Sequence, residues 1–467
     1  ATLSDDEADD YLRRYTELLE ALPPRLATWS SDPRLDSSPA GDVPRVNVSL
    51  KITSVYAQVD PLDFEGSRQA IVARLRPLFV KAAQAGAFLD IDLEQYEYHD
   101  LTYAVFSDLA LDPALRDYPH LGVVLQSYLR KSEDDLRFLV DLARRRETPI
   151  TVRLVKGAYW DHETILAAQQ HWPEPVFTDK AETDAQFEKL AGMLVDEWQW
   201  TRPAFATHNI RSMAAGLAAA EAAGLAPGAV ELQFLHGLAD PIRRAAVAQG
   251  YRVREYVPVG EMIPGMAYLV RRLLESTAQQ SFLQRLFSRE QDVEQLLAPP
   301  VATQAPPADA RAAEDQGAED RGADRRSGEA AVEAESVAAR QTGPVRFQNE
   351  PHADFSDPAV RAEMQQALAT IRGSLGRDYH LVIAGASVAT QVTSLSHNPA
   401  RPDEIVGRVA RATIEHADQA LSAAQAAFPS WRDTPPRQRA TILLKAAALM
   451  REQRFELAAL EVVEAGK

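Results

Sequence analysis

The feature that most constrains this chain is a short apolar run followed by a longer stretch of helical periodicity, repeated seven times. The runs are Val46–Ile52, Phe88–Leu93, Leu121–Tyr128, Ile150–Lys156, Ala204–Thr207, Val230–Leu235 and Val253–Val257. Strands that alternate with helices form a parallel sheet, because each return to a parallel neighbour needs a crossover of helix length. The units are similar in length and no G-x-G-x-x-G turn opens any of them. That favours a (β/α)8 barrel over a doubly wound dinucleotide fold.

Ahead of the first run, Tyr11, Tyr15, Leu18, Leu19 and Leu22 recur at helical spacing and predict an amphipathic helix over Asp5–Trp29. No strand precedes it, and the chain opens on Ala1 rather than on Met. Seven strands behind an orphan helix predict a barrel lacking its first strand, with the eighth helix running from Met262 to about Leu286.

From Pro299 to Pro344 the sequence turns to Ala, Glu, Asp, Arg, Gly and Pro, with almost nothing to bury, and reads as a disordered linker. Beyond it a helix is predicted at Ala359–Ile371, strands at Asp378–Ile383, Val388–Ser394 and Val406–Val409, and helices at Thr413–Phe428 and from Pro436 onward. The expected organisation is therefore a barrel over residues 1–295, a linker over 296–345 and the opening of a second α/β domain over 346–467.

In such barrels the chemistry lies at the carboxyl ends of the strands. Here those ends carry Lys51, Asp92, Gln126, Arg153 with Lys156, Thr207 with His208, His236 just after Leu235, and Tyr256. The segment TVRLVKGAYW ends its strand in two cations. Gly157 and Ala158 then let a ligand approach the backbone, and Tyr159 and Trp160 follow, which suits a large planar anion. In AYLVRRLLES, Arg271 and Arg272 can converge on a carboxylate, and Glu275 stands one turn on to hold one guanidinium in place.

The chain is acidic, with a formal charge of −17, so it has no cationic excess for nucleic acid. It contains no cysteine, which excludes disulfides and a thiol nucleophile within these residues. It shows neither a signal-peptide pattern nor an apolar run long enough to span a membrane, and a cytoplasmic location is the expectation.

The ordered motifs VSLKITS, IDLEQ, VVLQSYLR, RLVKGAYWD, FTDKAETDAQF, FATHN, LQFLHG, EYVPVGE and AYLVRRLLES resemble the proline dehydrogenase family, over about residues 5–286. From about residue 346 onward, FQNEPHADF, SHNPARPDEIVG and EVVEAGK resemble the opening of an aldehyde dehydrogenase of the glutamate semialdehyde type. The resemblance implies oxidation of L-proline to 1-pyrroline-5-carboxylate by bound flavin adenine dinucleotide (FAD). It also implies electron transfer to a quinone through transient contact with the inner-membrane surface. NAD would serve only the second domain of a full-length enzyme.

By position the resemblance puts Arg153, Gln126 and His208 at the flavin ring, and Lys156, Thr207, Lys180, Thr183 and Trp160 along the rest of the cofactor. It gives the proline carboxylate to Arg271, Arg272 and Lys51, oriented by Asp92 and Glu275, with Tyr256, Tyr159 and Leu235 around the ring. The acidic L-G-E motif that ends the family's first strand does not occur here. Two other readings remain open on the residues alone: a barrel enzyme using Lys51 or Lys156 as a Schiff-base amine, and a noncatalytic scaffold.

Overall fold

The computed structural model describes residues 2–260, 265, 266, 270, 297–300 and 349–466. It divides into two compact units, Ala1–His352 and Ala353–Lys467.

The first unit opens with α1, Asp5–Leu26. Ser4 caps it by accepting from the Glu7 amide, and Asp5, Asp6 and Glu7 occupy the positive end of its dipole. Its inward stripe is Leu12, Tyr15, Leu19, Leu22 and Leu26. The helix ends three residues before the expected Trp29, just past Pro23 and Pro24, which take two amide donors out of its last turns.

Seven parallel strands follow: β1 Asn47–Leu50, β2 Phe88–Ile91, β3 Leu121–Gln126, β4 Ile150–Val155, β5 Thr201–Ala206, β6 Glu231–Leu235 and β7 Arg252–Tyr256. They lie in sequence order, each beside the next, and among the described residues β1 and β7 are unpaired edges. The returning helices are α2 Phe64–Gln84, α3 His99–Leu111, α4 Ser132–Arg146, α5 Trp160–Gln170, α6 Lys180–Asp196, α7 Ile210–Ala222 and α8 Asp240–Ala248. All seven expected strands are present. The main difference is β5, which begins at Thr201 rather than at Ala204, with Pro203 paired into the sheet opposite Val152 although a proline cannot donate to the ladder.

The sheet is curled. In a flat sheet β2 and β7 would stand five strand spacings, about 24 Å, apart. Instead the Tyr256 hydroxyl at the end of β7 donates to Asp92 just past β2, at 3.1 Å. The result is a half-barrel whose interior receives side chains from every strand. The expected eighth helix and the linker lie outside the described residues, apart from a few positions at their margins.

That interior is partly ionic. Glu231 at the start of β6 accepts from Arg254 at 2.8 and 3.0 Å, pairs with Arg252 at 3.3 Å and accepts from Gln233 at 2.8 Å. Burial alone would raise its carboxyl, but the arginines outweigh that and hold it down at about 2.

In the second unit a helix over Pro358–Gly373 precedes a three-stranded sheet of Arg377–Tyr379, Arg401–Ala410 and Thr393–Asn398, in that spatial order. The strand expected over Asp378–Ile383 is split. Leu381–Ile383 instead forms a hairpin with Ala386–Val388, closed by Ala384 and Gly385, both at positive φ as a two-residue mirror-image turn requires. Helices follow at Ile414–Asp433, Pro436–Glu452 and Arg454–Ala465.

Glu231 has a lowered carboxyl, so its stabilising contribution is full above about pH 4.5 and is lost as the pH falls through about 2. Glu231→Gln is expected to lower unfolding free energy at neutral pH by on the order of 3 kcal/mol and to flatten the acid limb of the stability curve. Urea titrations between pH 2 and pH 7 test this, and parallel wild-type and variant curves would exclude it.

Candidate active site

The polar residues at the strand ends gather into two groups. In the first, Arg153 of β4 reaches across the interior. Its guanidinium donates to Asp92 Oδ1 at 2.6 Å and to Ser49 Oγ of β1 at 2.6 Å, and pairs with Asp90 of β2. It also lies over the Tyr256 ring, 5.5 Å from the centroid. Arg153 is only 7% exposed and Asp90 1%. Burial works against the Arg153 charge, but Asp90 and Asp92 outweigh it and hold the guanidinium above its usual range. The Asp90 carboxyl is pushed up by burial against the pull of Arg153. Room for Asp90 comes from Gly122 on β3, where a Cβ would stand 2.5 Å from its Oδ1.

Lys51, just past β1, stands 3.9 Å from Glu94, whose carboxylate accepts from Thr53 at 2.8 and 2.9 Å. Burial pulls Lys51 down, yet Asp92, Glu94 and a hydrogen bond with Tyr159 keep it above its usual value. Burial and then Asp92 raise the Tyr256 hydroxyl. Gln126 at the end of β3 donates to the Glu94 carbonyl at 3.3 Å.

The second group lies on α6 and the loop after β4. Asp184 accepts from Lys156 and, at 2.7 Å, from Lys180. Thr183 is buried beside them, and its carbonyl accepts from Ser127 at 3.4 Å. Burial pushes Lys156 down to about 8 in spite of Asp184. Nearby, His208 Nε2 accepts from the Leu235 amide at 3.2 Å, its ring stacked on Phe234, and Thr207 Oγ1 accepts from the Asn209 amide at 3.1 Å.

Gly157 joins the two groups. It sits at φ +132°, and a Cβ there would lie 2.5 Å from the Tyr128 ring. Ala158 is exposed, as is Trp160, whose indole donates to the Phe177 carbonyl at 2.8 Å. Lys51, Asp92, Arg153, Tyr159 and Tyr256 are thus brought together, as are Lys156, Lys180 and Thr183. Arg271, Arg272 and Glu275 lie outside the described residues.

Sequence reasoning missed Ser49, Asp90, Glu94 and Asp184. The signal for Asp90 was strand alternation, which puts it on the same face as Asp92. For Asp184 it was the four-residue helical spacing from Lys180. Chemically, the first group offers a caged cation and aromatic walls to a planar hydrogen-bonding ring. The second offers two ammonium groups to an anion.

The profile of the proline dehydrogenase family matches residues 1–285. The chain belongs to that family. The aldehyde dehydrogenase family profile matches residues 388–467. Bifunctional protein PutA of Escherichia coli (strain K12) is 31% identical over 441 residues, covering 90% of this chain and 31% of the relative. A 1-pyrroline-5-carboxylate dehydrogenase of Bacillus subtilis is 46% identical over 121 residues, 26% of this chain and 24% of its own. Among solved structures, proline utilization A of Bdellovibrio bacteriovorus, inactivated by N-propargylglycine, superposes with a TM-score of 0.85 at 40% identity. The match covers 100% of this chain and 46% of that one. The chain therefore spans about a third of the length of its curated bifunctional relatives.

Gly157→Ala must accommodate both a left-handed backbone and a methyl group against Tyr128. It is expected to destabilise the first unit by about 2–4 kcal/mol. Thermal unfolding of the two chains measures this; an unchanged midpoint would mean that the loop adapts freely.

Proposed function

We propose that the first unit is an FAD-dependent proline dehydrogenase that oxidises L-proline to 1-pyrroline-5-carboxylate and passes the electrons to a quinone. The observation that carries this reading is the caged cation at Arg153, with Lys51 and Tyr256 converging on its partner Asp92, in a chain of the proline dehydrogenase family. The donor set fits FAD. Arg153, Gln126 and His208 suit the ring system, and Lys156, Lys180, Thr183 and Thr207 suit the phosphate-bearing portion, with Gly157 allowing close approach and Ala158 and Trp160 beside it. When bound, the flavin would take a hydride equivalent from the carbon next to the proline nitrogen.

The chain's own residues bind and orient. Lys51, kept charged by Asp92 and Glu94, would receive the proline carboxylate. On the family resemblance Arg271 and Arg272 would share that carboxylate, oriented by Glu275. Tyr159, Leu235 and Tyr256 would wall off the ring and exclude water. Arg153 would stabilise negative charge that develops near it, with no rearrangement at the moment of reaction.

The second unit is, on this reading, the start of an aldehyde dehydrogenase-like domain. Thiohemiacetal chemistry needs a thiol that these 467 residues do not contain, so the NAD-dependent second step is not assigned to them. No helix among the described residues is long and apolar enough to cross a membrane. A cytoplasmic enzyme that touches the inner-membrane surface transiently is the corresponding proposal.

The direct test is the visible spectrum of the purified chain. Oxidised flavin bands that bleach on anaerobic addition of proline support the proposal. A colourless preparation that FAD does not reconstitute sinks it. Arg153→Met is expected to lower the reduction potential of the bound flavin, because the cation facing the reduced state is lost. An unchanged potential at full occupancy would remove Arg153 from that role.

A further inference from the structure

Asp184 has no part in the reading above, yet its carboxylate is shared between two elements. It lies one turn into α6, where one oxygen accepts from Lys180 of the same helix at 2.7 Å and the other accepts from Lys156 on the loop after β4. Lys156 is 20% exposed, Asp184 17% and Lys180 33%, so the cluster is largely withdrawn from water.

The groups that face Lys156 are Asp184, Lys180 and Glu188, with the Phe187 ring 5.9 Å from its ammonium. Glu188 is engaged elsewhere, accepting from Arg211 on both oxygens at 2.9 Å. Asp184 is therefore the carboxylate that offsets both the burial of Lys156 and its repulsion from Lys180. Each ammonium carries three N–H donors, so giving one to Asp184 leaves others for a ligand.

We propose that Asp184 is a positioning residue that holds Lys156 charged and convergent with Lys180, so that the pair receives the anionic portion of the bound cofactor. The proposal rests on the flavin reading. Its content is counter-intuitive, because removing a negative charge beside an anion site ordinarily strengthens anion binding. Here burial already holds Lys156 at about 8. Without Asp184, only Glu188, which is already engaged by Arg211, would oppose burial and Lys180, and the ammonium would lose its proton at a lower pH.

Two measurements on the 467-residue chain test this. The first needs no flavin: Lys156 is titrated by competitive acylation read by peptide mass spectrometry. Asp184→Asn is expected to shift its titration downward by about one pH unit, a roughly tenfold change in charged fraction at a given pH above it. Lys180→Met should shift it upward, since a like charge is gone.

The second is FAD affinity at about pH 8.5 and about pH 6, with Asp184→Glu as the conservative variant. Asp184→Asn should weaken binding roughly tenfold at the higher pH and recover most of it at the lower, while Asp184→Glu stays near wild type. An unmoved Lys156 titration, tighter binding by Asp184→Asn, or an equal loss at both pH values would overturn the role of Asp184. A wild-type chain that takes up no FAD at either pH overturns the flavin reading instead, and the acylation titration then decides the Asp184–Lys156 coupling by itself.

Discussion

The site is organised around one costly act, the burial of the Arg153 guanidinium. Taking such a charge out of water costs several kcal/mol unless partners replace the lost solvation. Here Asp90, Asp92 and Ser49 replace it, and each imposes a condition on the surrounding sequence. Asp90 needs the space that Gly122 leaves on the neighbouring strand. Asp92 has a second oxygen to satisfy, which Tyr256 does from β7. The alternating Asp90, Asp92 and Glu94 thus form a column of carboxylates that serves Arg153 at its base and Lys51 at its rim.

The two buried cations at the barrel mouth show how the number of partners decides the outcome. Arg153 has two carboxylates against it, and its charge is reinforced despite burial. Lys156 has the near carboxylate of Asp184, but shares it with Lys180, and burial wins. The same kind of contact therefore leaves one group permanently charged and the other within reach of a proton exchange near physiological pH.

Much of this was legible in the sequence. Strands of a covered parallel sheet appear as short, largely apolar runs between helical stretches, and all seven were visible that way although Asp90, Arg153 and Arg254 interrupt them. Their carboxyl ends picked out Lys51, Asp92, Gln126, Arg153 and Tyr256. What stayed hidden had interior or distant partners. Asp90 lies inside a strand, where a carboxylate makes sense only once Arg153, two strands away, is known to reach it. Asp184 acts through Lys156, 28 residues earlier, across a loop and a helix whose packing periodicity does not reveal. In the second unit, His380 separates two short strands in a stretch whose apolar pattern reads as one, because a change of pairing partner leaves no mark in hydropathy.

The contacts that cage Arg153 are also among the most distant along the chain. Ser49 and Arg153 are separated by 104 positions, Asp92 and Arg153 by 61, and Tyr256 and Asp92 by 164. Closing loops of that length is entropically unfavourable until the intervening strands have docked in order. The cage is thus a record of completed assembly. β3 and β4 by themselves contain the arginine but none of these partners, so the cage exists only where β1, β2 and β7 are also in place.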